Sequence, residues 1–290
     1  MDNCIITSAS NKFFPSLINL LGSIKKIYHN HPRIYVYDLG LFSIFRKEIE
    51  AIEGVTVLEV PHFVKYWRSC YTWKTYILNN PLAENNFYID AGCQILRPLD
   101  NIFNKINNNG YLLVGVGKEN TIRKMTPSEY IGIFNLDSLL LDSEPVTAGI
   151  FGFKRGSAKI KEVTQLTYEA GVTGLCLGFS KKDSWRNKGK DKNYFIRDCE
   201  MFRHDTTLLS IFSKKIFGET LIMEKVQEYS DKLIGGDQYI WNLRLSYKKL
   251  NNSEIFSNRV FIGLLNRLIL KVVIFIKNLN LVIKKFFKII

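Results

Sequence analysis

The fold is decided by one stretch, Asn86-Phe87-Tyr88-Ile89-Asp90-Ala91-Gly92-Cys93-Gln94-Ile95-Leu96-Arg97-Pro98. Its aromatic and β-branched run, residues 87–89, predicts a short buried strand that ends in the carboxylate of Asp90. In open α/β sheets ligands bind beyond the carboxyl ends of the strands, so we expect Asp90 at the mouth of a site. Ala91 and Gly92 would let a ligand come close to the backbone there. An Asp that only opens a turn is an equally good interpretation.

Strand and helix patterns alternate on the N-terminal side of this stretch. The predicted elements are a strand at 4–6, a helix at 14–28, a strand at 33–37 that ends at Asp38, a helix at 42–52 and a strand at 55–60. A loop of small residues, 7–10, is expected after the first strand. This order predicts a doubly wound half-sheet of mostly parallel strands.

The same alternation continues toward the C-terminus. We expect helices at 71–78, 99–106 and 158–170, and strands at 87–90, 111–116 and 147–153. A long basic stretch, 179–193, has the composition of a lid or binding loop, although a solvated loop explains its charge as well. The chain is therefore expected to be an α/β protein in which helices flank the sheet.

Polar groups gather at the predicted carboxyl edge of this sheet. Asp38 and Asp90 both follow parallel strands, and the loop that holds Thr7, Ser8 and Ala9 follows the first strand at the same edge. Such a crevice can take a nucleotide: the loop offers backbone groups, one carboxylate a ribose contact, and the other a site for a divalent cation on phosphates. The sequence contains neither GxGxxG nor GxxxxGK[ST], so dinucleotide and P-loop chemistry are not supported.

A tryptophan and a lysine precede the helical run at 71–78. The ammonium of Lys74 could neutralise a phosphate and the indole of Trp73 could stack on a ligand. A core tryptophan beside a surface lysine is the more common situation for such a pair.

The pattern resembles the nucleotide-sugar-dependent glycosyltransferases of the GT-A fold. Five segments carry the resemblance in order between residues 5 and 245: Val36-Tyr37-Asp38-Leu39-Gly40-Leu41, Tyr71-Thr72-Trp73-Lys74, Tyr88-Ile89-Asp90-Ala91-Gly92-Cys93, Thr147-Ala148-Gly149-Ile150-Phe151-Gly152-Phe153 and Arg203-His204-Asp205-Thr206-Thr207-Leu208-Leu209. The third segment stands where that family has its Asp-x-Asp motif.

The resemblance implies a role for each matching position. Thr7, Ser8 and Ala9 would lie beside the nucleotide base, and Asp38 near the base or the ribose. Lys74 would face the diphosphate, and Asp90, followed by Ala91 and Gly92, would hold Mn²⁺ or Mg²⁺ on it. Gly149 would line the donor-sugar or acceptor side. Asp205 would act near the transferred sugar, either on an acceptor hydroxyl or on an oxocarbenium-like centre.

Two positions depart from the family pattern. Gly92 stands where the second metal-binding Asp is expected, so His204 or Asp237 completes the site, the metal binds weakly, or none is needed. Thr206 stands where the family often has Gln, and Asp205 can equally be an N-cap for a helix at 206–212.

Composition sets the class and the expected compartment. The chain of 290 residues is 46% hydrophobic and 13% aromatic, which predicts a globular protein. Its five widely spaced cysteines predict reduced thiols and neither a disulfide framework nor a metal site. Because the start, Met-Asp-Asn-Cys, lacks a basic region, we expect no signal peptide and a cytoplasmic location.

The C-terminal segment has a different character. Residues 259–290 contribute +7 of the net charge of +13 and contain no acid. In a helical projection their basic residues gather on one side and their apolar residues on the other, which predicts an amphipathic helix lying in an anionic membrane interface. A helix docked on the protein's own core is the alternative. We therefore divide the chain into a GT-A-like domain, 1–255, and a basic membrane-associating tail, 256–290.

The resemblance to this family implies a glycosyltransferase of the hexosyltransferase type. The expected donor is a nucleotide sugar, a UDP-sugar in the first place, and the expected acceptor is a glycan or glycolipid of lipopolysaccharide, capsule or a related surface glycan. The tail would keep the enzyme peripheral on the cytosolic face of the membrane, near a membrane-held acceptor. The alternative is a non-catalytic GT-A-like protein that binds anionic lipid. No nucleic-acid partner is expected, because no DNA- or RNA-binding motif accompanies the charge.

Overall fold

The computed structural model describes residues 2–61, 68, 70–117, 119–182, 196–229 and 238–242. A six-stranded sheet lies at the centre of this part of the chain. Its strands are β1 (Asn3–Ala9), β2 (Arg33–Asp38), β3 (Val55–Glu59), β4 (Asn85–Ile89), β6 (Tyr111–Gly115) and β7 (Val146–Lys154). Two further short pairs are formed by β5 (Cys93–Ile95) with β10 (Ile240–Asn242), and by β8 (Phe179–Ser180) with β9 (Ile196–Arg197).

The central sheet is mixed and mostly parallel. Its strand order is β3-β2-β1-β4-β7-β6, with β1 to β4 parallel and β7 antiparallel to both of its neighbours. Every residue of β4 and of β6 is buried, as is usual for strands that helices cover on both faces. The predicted α/β class, a mostly parallel sheet flanked by helices, is therefore confirmed.

Helices cover both faces of the sheet. They are α1 (Phe14–Ile27), α2 (Ser43–Glu50), α3 (Thr72–Asn79), α4 (Asp100–Asn109), α5 (Ile122–Met125), α6 (Ser128–Ile133), α7 (Ser138–Leu141), α8 (Ala158–Val172), α9 (Asp205–Phe217) and α10 (Val226–Tyr229). The core on one face is built by α1, α2 and α4. The core on the other face is built by α3, α8 and α9, and the candidate site lies at its edge.

One local prediction is wrong. The expected loop of small residues after the first strand belongs to β1 up to Ala9, where Thr7, Ser8 and Ala9 pair in register with Val36 to Asp38 of β2. Their backbone groups therefore serve the sheet, because a buried strand must satisfy its own amides and carbonyls. Small side chains here allow close packing between elements.

Several predictions fall outside the described residues. These are most of the basic stretch 179–193, Asp237, the domain boundary near residue 255 and the tail 256–290. Within the described part, no helix combines the length and the apolar character needed to cross a membrane.

Candidate functional site

The site begins at the turn that follows β4. The backbone N–H of Cys93 donates to the Asp90 carbonyl at 2.9 Å, so Ala91 and Gly92 occupy the middle of a tight turn. The N–H of Asp90 donates to the carbonyl of Gly149 at 2.9 Å, which ties the turn to β7. The Asp90 side chain is 44% exposed and so faces the solvent at the carboxyl end of a buried strand.

The absence of a side chain at Gly149 makes room for Asp90. A Cβ atom at position 149 would lie 2.9 Å from Oδ2 of Asp90, closer than real Cβ contacts. Gly149 is therefore a contact residue of the Asp90 carboxylate, and any larger residue would push the carboxylate away from β7.

One oxygen of Asp90 is held by two donors from inside the protein. Its Oδ1 accepts from Lys74 Nζ at 2.9 Å and from the hydroxyl of Tyr88 at 2.8 Å. Ser8 Oγ lies 3.1 Å from the same hydroxyl and donates to it, since the Tyr88 proton is already used. Asp90 is thereby oriented with Oδ1 inward, which leaves Oδ2 for a ligand.

Lys74 is a buried ammonium in the first turn of α3. Its side chain is only 5% exposed, and Nζ lies 5.3 Å and 5.0 Å from the ring centroids of Trp73 and Tyr88. Burial alone would lower the pKa of Lys74, but the charge of Asp90, with Tyr88 and Asp205, raises it well above the usual value. Lys74 is a permanent cation at working pH.

Asp205 brings a second carboxylate to this ammonium. It is the first residue of α9, its side chain is 7% exposed, and its Oδ2 lies 3.6 Å from Lys74 Nζ. Within the described part of the chain this oxygen has no hydrogen-bond partner. Burial raises the pKa of Asp205 from 3.8 to about 6, against the lowering effect of Lys74 and with a further rise from Asp90. Such a carboxylate can accept a proton near neutral pH.

The alternative N-cap interpretation of Asp205 is wrong. The cap position of α9 is His204, and no side chain makes a capping hydrogen bond there. A carboxylate in the first helical turn still gains from the partial positive charge of the helix N-terminus. Asp205 thus points its charge toward Lys74.

The donor set for a metal is small. Among the described residues no group of three or more His, Cys, Asp or Glu side chains could hold a metal ion. The candidate ligand His204 points Nδ1 at the carbonyl of Cys176, 2.8 Å away. Asp90 Oδ2 therefore remains as a single carboxylate oxygen, which fits a divalent cation already bound to diphosphate oxygens.

Some predicted site residues lie elsewhere or face another way. Oδ1 of Asp38 accepts hydrogen bonds from the N–H groups of Gly40 and Leu41, both at 2.7 Å, and its Oδ2 lies 3.4 Å from Arg46. Thr7 and Ala9 are buried in β1, and Trp73 belongs to the core. The indole therefore supports Lys74 from the side and is not open for stacking on a base.

Two aromatic residues of the site had no predicted role. Tyr88 connects Ser8 to Asp90, and the signal for it was present, since alternation along a strand puts residues 88 and 90 on one face. Tyr71 precedes α3 with φ 56° and packs its ring against His204 at 5.3 Å. No pattern in the neighbouring sequence predicts a positive φ at a tyrosine.

Similar proteins were found at the level of fold only. No protein-family model matches the chain, and no curated protein matches it in sequence. Three solved structures that it resembles are bacterial glycosyltransferases. The apo bifunctional glycosyltransferase WbbM is 12% identical over 91% of this chain and 44% of its own, with a TM-score of 0.49. The galactosyltransferase LgtC, in complex with donor and acceptor sugar analogues, is 9% identical over 90% of this chain and 82% of its own (TM-score 0.46).

The third is the apo glycosyltransferase GlyE of Streptococcus pneumoniae TIGR4. It is 10% identical over 79% of this chain and 46% of its own, with a TM-score of 0.41. The chain thus spans less than half the length of WbbM and of GlyE. At these identities and TM-scores the function of this chain has to be inferred from the geometry of its own site.

Proposed function

We propose that the chain transfers a sugar from a nucleotide-sugar donor to an acceptor hydroxyl. The observation that carries this proposal is the cluster of Asp90, Lys74 and Asp205 at the carboxyl end of β4. It combines a solvent-facing carboxylate with a buried one, and a fixed ammonium lies 2.9 Å and 3.6 Å from them. Two carboxylates in unlike environments can take unlike roles in one reaction.

The donor diphosphate would bind over Asp90, because the Asp90 carboxylate is the more exposed of the two. Asp90 would hold Mn²⁺ or Mg²⁺ through Oδ2, with diphosphate oxygens as the other ligands. Such a cation supplies positive charge that stabilises the leaving diphosphate. Lys74 keeps Asp90 in place and adds a second positive charge close to the departing group.

Asp205 would act at the transferred sugar. In the reaction the bond from the anomeric carbon to the diphosphate oxygen breaks, and a bond to the acceptor oxygen forms. The acceptor hydroxyl loses a proton, and Oδ2 of Asp205 is a buried acceptor without a hydrogen-bond partner in the described residues. With a pKa raised to about 6 by burial, this carboxylate can accept that proton at neutral pH.

The acceptor would be a membrane-held glycan or glycolipid, such as a precursor of lipopolysaccharide or capsule, and the donor a UDP-hexose. The basic, apolar-interleaved segment 259–290 supports this part of the proposal. An amphipathic basic segment favours anionic membrane surfaces, which would keep the enzyme peripheral on the cytosolic face. Tethering raises the concentration of enzyme around its acceptor.

The test is the thermal stability of the full-length protein with UDP, GDP and CMP, each with and without Mn²⁺. A ligand that binds the folded state raises the melting temperature. We expect one nucleotide to do so in the presence of Mn²⁺, and the shift to be lost in Asp90→Ala. Slow hydrolysis of the matching nucleotide sugar should then be lost in Asp205→Asn.

Asp142→Ala is the matched control for the carboxylate substitutions. Asp142 is an exposed carboxylate in an ion pair with Arg123, so its loss should leave the nucleotide shift unchanged. A shift that needs no metal would keep the transferase and remove the cation from the proposal. No shift with any of the three nucleotides would favour a non-catalytic protein that keeps this fold.

A further inference from the structure

Two residues with unusual backbone geometry immediately precede α3 and α9, the helices that carry Lys74 and Asp205. Three non-glycine residues in the described part of the chain have positive φ: Tyr71 at 56°, Asn135 at 49° and His204 at 50°. Asparagine tolerates this region, but a bulky aromatic residue there is an outlier. Tyr71, with a ψ of 16°, has the left-handed helical conformation. His204 has a ψ of −113°, so its backbone lies outside that region too and is the rarer of the two conformations.

Both outliers immediately precede the helices that carry the site charges. Tyr71 is the cap residue of α3, and its carbonyl accepts the backbone N–H of Lys74 at 3.0 Å. His204 is the cap residue of α9 and directly precedes Asp205. The backbone conformation at these two positions therefore sets the direction in which the side chains of Lys74 and Asp205 project from their helices.

The two outliers also contact each other. The rings of Tyr71 and His204 lie 5.3 Å apart, with 42° between their planes. The His204 ring packs against Phe202 at 5.0 Å and Phe179 at 5.1 Å, and its Nδ1 lies 2.8 Å from the Cys176 carbonyl. Strained residues persist only where their surroundings hold them, and they concentrate at functional sites.

We propose that Tyr71 and His204 are positioning residues that join the beginnings of α3 and α9 and so hold the Lys74 ammonium against Asp205. This inference rests on the proposed function in so far as Lys74 and Asp205 form the centre of that reaction. Helices α3 and α9 both pack on α8, and the ring pair adds a direct contact between the residues that begin them. This contact lies next in sequence to the 3.6 Å approach of Lys74 Nζ and Asp205 Oδ2.

Selective acetylation of Lys74 tests the inference without any substrate. Full-length protein is treated with N-hydroxysuccinimidyl acetate, and the rate at each lysine is followed by mass spectrometry. Lys74 is buried and bound to two carboxylates, so the reagent reaches it only after local opening. The variants are Tyr71→Asn, because asparagine tolerates the left-handed conformation, and His204→Gly, because glycine also tolerates positive φ with a ψ of −113°; each substitution removes the ring.

We expect both variants to acetylate Lys74 about tenfold faster than the wild type, since opening becomes easier when a packing contact is lost. Tyr71→Phe keeps the ring and should restore the wild-type rate. Asn135→Ala changes the third left-handed position, between α6 and α7, and should leave Lys74 protected. Melting temperatures identify any variant whose whole fold is lost.

The inference is overturned if both ring-deleted variants melt as the wild type does and acetylate Lys74 at the wild-type rate. It is also overturned if Tyr71→Phe behaves like Tyr71→Asn, because the ring contact would then not be the cause. Because no nucleotide is present, these outcomes are independent of whether the chain transfers a sugar.

Discussion

At the scale of single residues, the site is governed by how two carboxylates, Asp90 and Asp205, share one buried lysine, Lys74. Lys74 satisfies Asp90 by a hydrogen bond of 2.9 Å and reaches Asp205 only at 3.6 Å. Asp90 is half exposed and keeps an oxygen for solvent, whereas Asp205 is almost wholly buried. The free-energy cost of burying an incompletely paired charge is therefore largest at Asp205, and this burial raises the pKa of its carboxyl group.

Asp205→Asn should stabilise the folded protein at neutral pH while it abolishes activity. A carboxyl group whose folded-state pKa is raised from 3.8 to about 6 stabilises the fold below pH 4 and loses that contribution as the pH rises through 6. The difference corresponds to roughly 3 kcal/mol. Asparagine does not titrate, so the variant should exceed the wild type by up to that amount at pH 7.5.

The measurement is urea unfolding of both proteins between pH 4 and pH 8. The advantage of Asp205→Asn should shrink as the pH falls from 6 to 4, because the wild-type carboxyl group becomes protonated. Asp142→Asn, at an exposed carboxylate, should show no such trend. A variant that is less stable than the wild type at every pH would contradict the assignment.

Gly92→Asp should give the protein a metal site of its own. The backbone at Gly92 does not have a positive φ, so the conformation of the turn does not require glycine at this position. A second carboxylate two residues after Asp90 adds oxygen ligands of the kind that divalent cations prefer. We expect the affinity for Mn²⁺ in the absence of nucleotide to rise by about tenfold or more, measured from the electron paramagnetic resonance signal of free Mn²⁺.

The neutral Gly92→Asn variant is the control for size and turn geometry. It should bind Mn²⁺ far more weakly than Gly92→Asp. If wild type and Gly92→Asp bind Mn²⁺ equally well without nucleotide, position 92 does not face the Asp90 oxygen and the metal site lies elsewhere.

At the scale of elements, the site depends on where α3 lies. This helix carries Lys74 and packs against the end of α8, where Gly171 permits a close approach. A Cβ at Gly171 would lie 2.6 Å from Thr75 Oγ1 and 3.3 Å from Thr72 Cγ2. Both threonines are fully buried, so they have little room to move away. The contact between α8 and α3 therefore sets the height of Lys74 over the sheet.

Gly171→Ala should destabilise the protein by about 1–3 kcal/mol, because it overpacks the contact between α8 and α3. The matched substitution Gly132→Ala in α6 meets no atom within 4 Å. It should be neutral or stabilising by up to about 1 kcal/mol, since alanine is the better helix former. Chemical denaturation of the two variants gives the comparison, and equal effects would mean that α3 can shift freely.

The strand ends show how an element can decide a residue's role. Asp38 and Asp90 follow parallel strands of the same sheet and look alike in sequence. Asp38 is used by its own turn and by Arg46, whereas Asp90 receives Lys74 and Tyr88 from the face occupied by α3. The sequence therefore predicted that both aspartates lie at strand ends, but it did not predict which groups each carboxylate binds.

At the scale of the whole molecule, the charge is unevenly distributed. Residues 259–290 hold +7 of the net +13 and lie outside the described residues. The membrane role of this segment stays a prediction. It is argued from charge and apolar spacing, and the surface potential of anionic lipid provides about 1 kcal/mol for each basic residue near the surface.

Replacement of Lys284, Lys285 and Lys288 by Gln in the full chain should weaken sedimentation with anionic vesicles. The affinity should fall on the order of a hundredfold. In the wild type, 0.5 M salt should weaken vesicle binding similarly, because salt screens the attraction between the basic residues and the anionic lipid. Vesicles of neutral phosphatidylcholine are the control and should bind both proteins weakly. Unchanged sedimentation with phosphatidylglycerol vesicles would favour a tail that docks on its own domain.

The sequence by itself determined the order along the chain of the six sheet strands and of the helices of eight or more residues, and the place of Asp90 at a strand end. Periodicity and turn residues are local, so they are readable without the fold. Only the tertiary structure decided that Lys74 and Asp205 meet, that Asp38 serves a turn, and that residues 7–9 complete β1. These outcomes depend on pairing and burial between segments far apart in the chain. Burial also sets the charge state of Asp205, and no local pattern of residues encodes it.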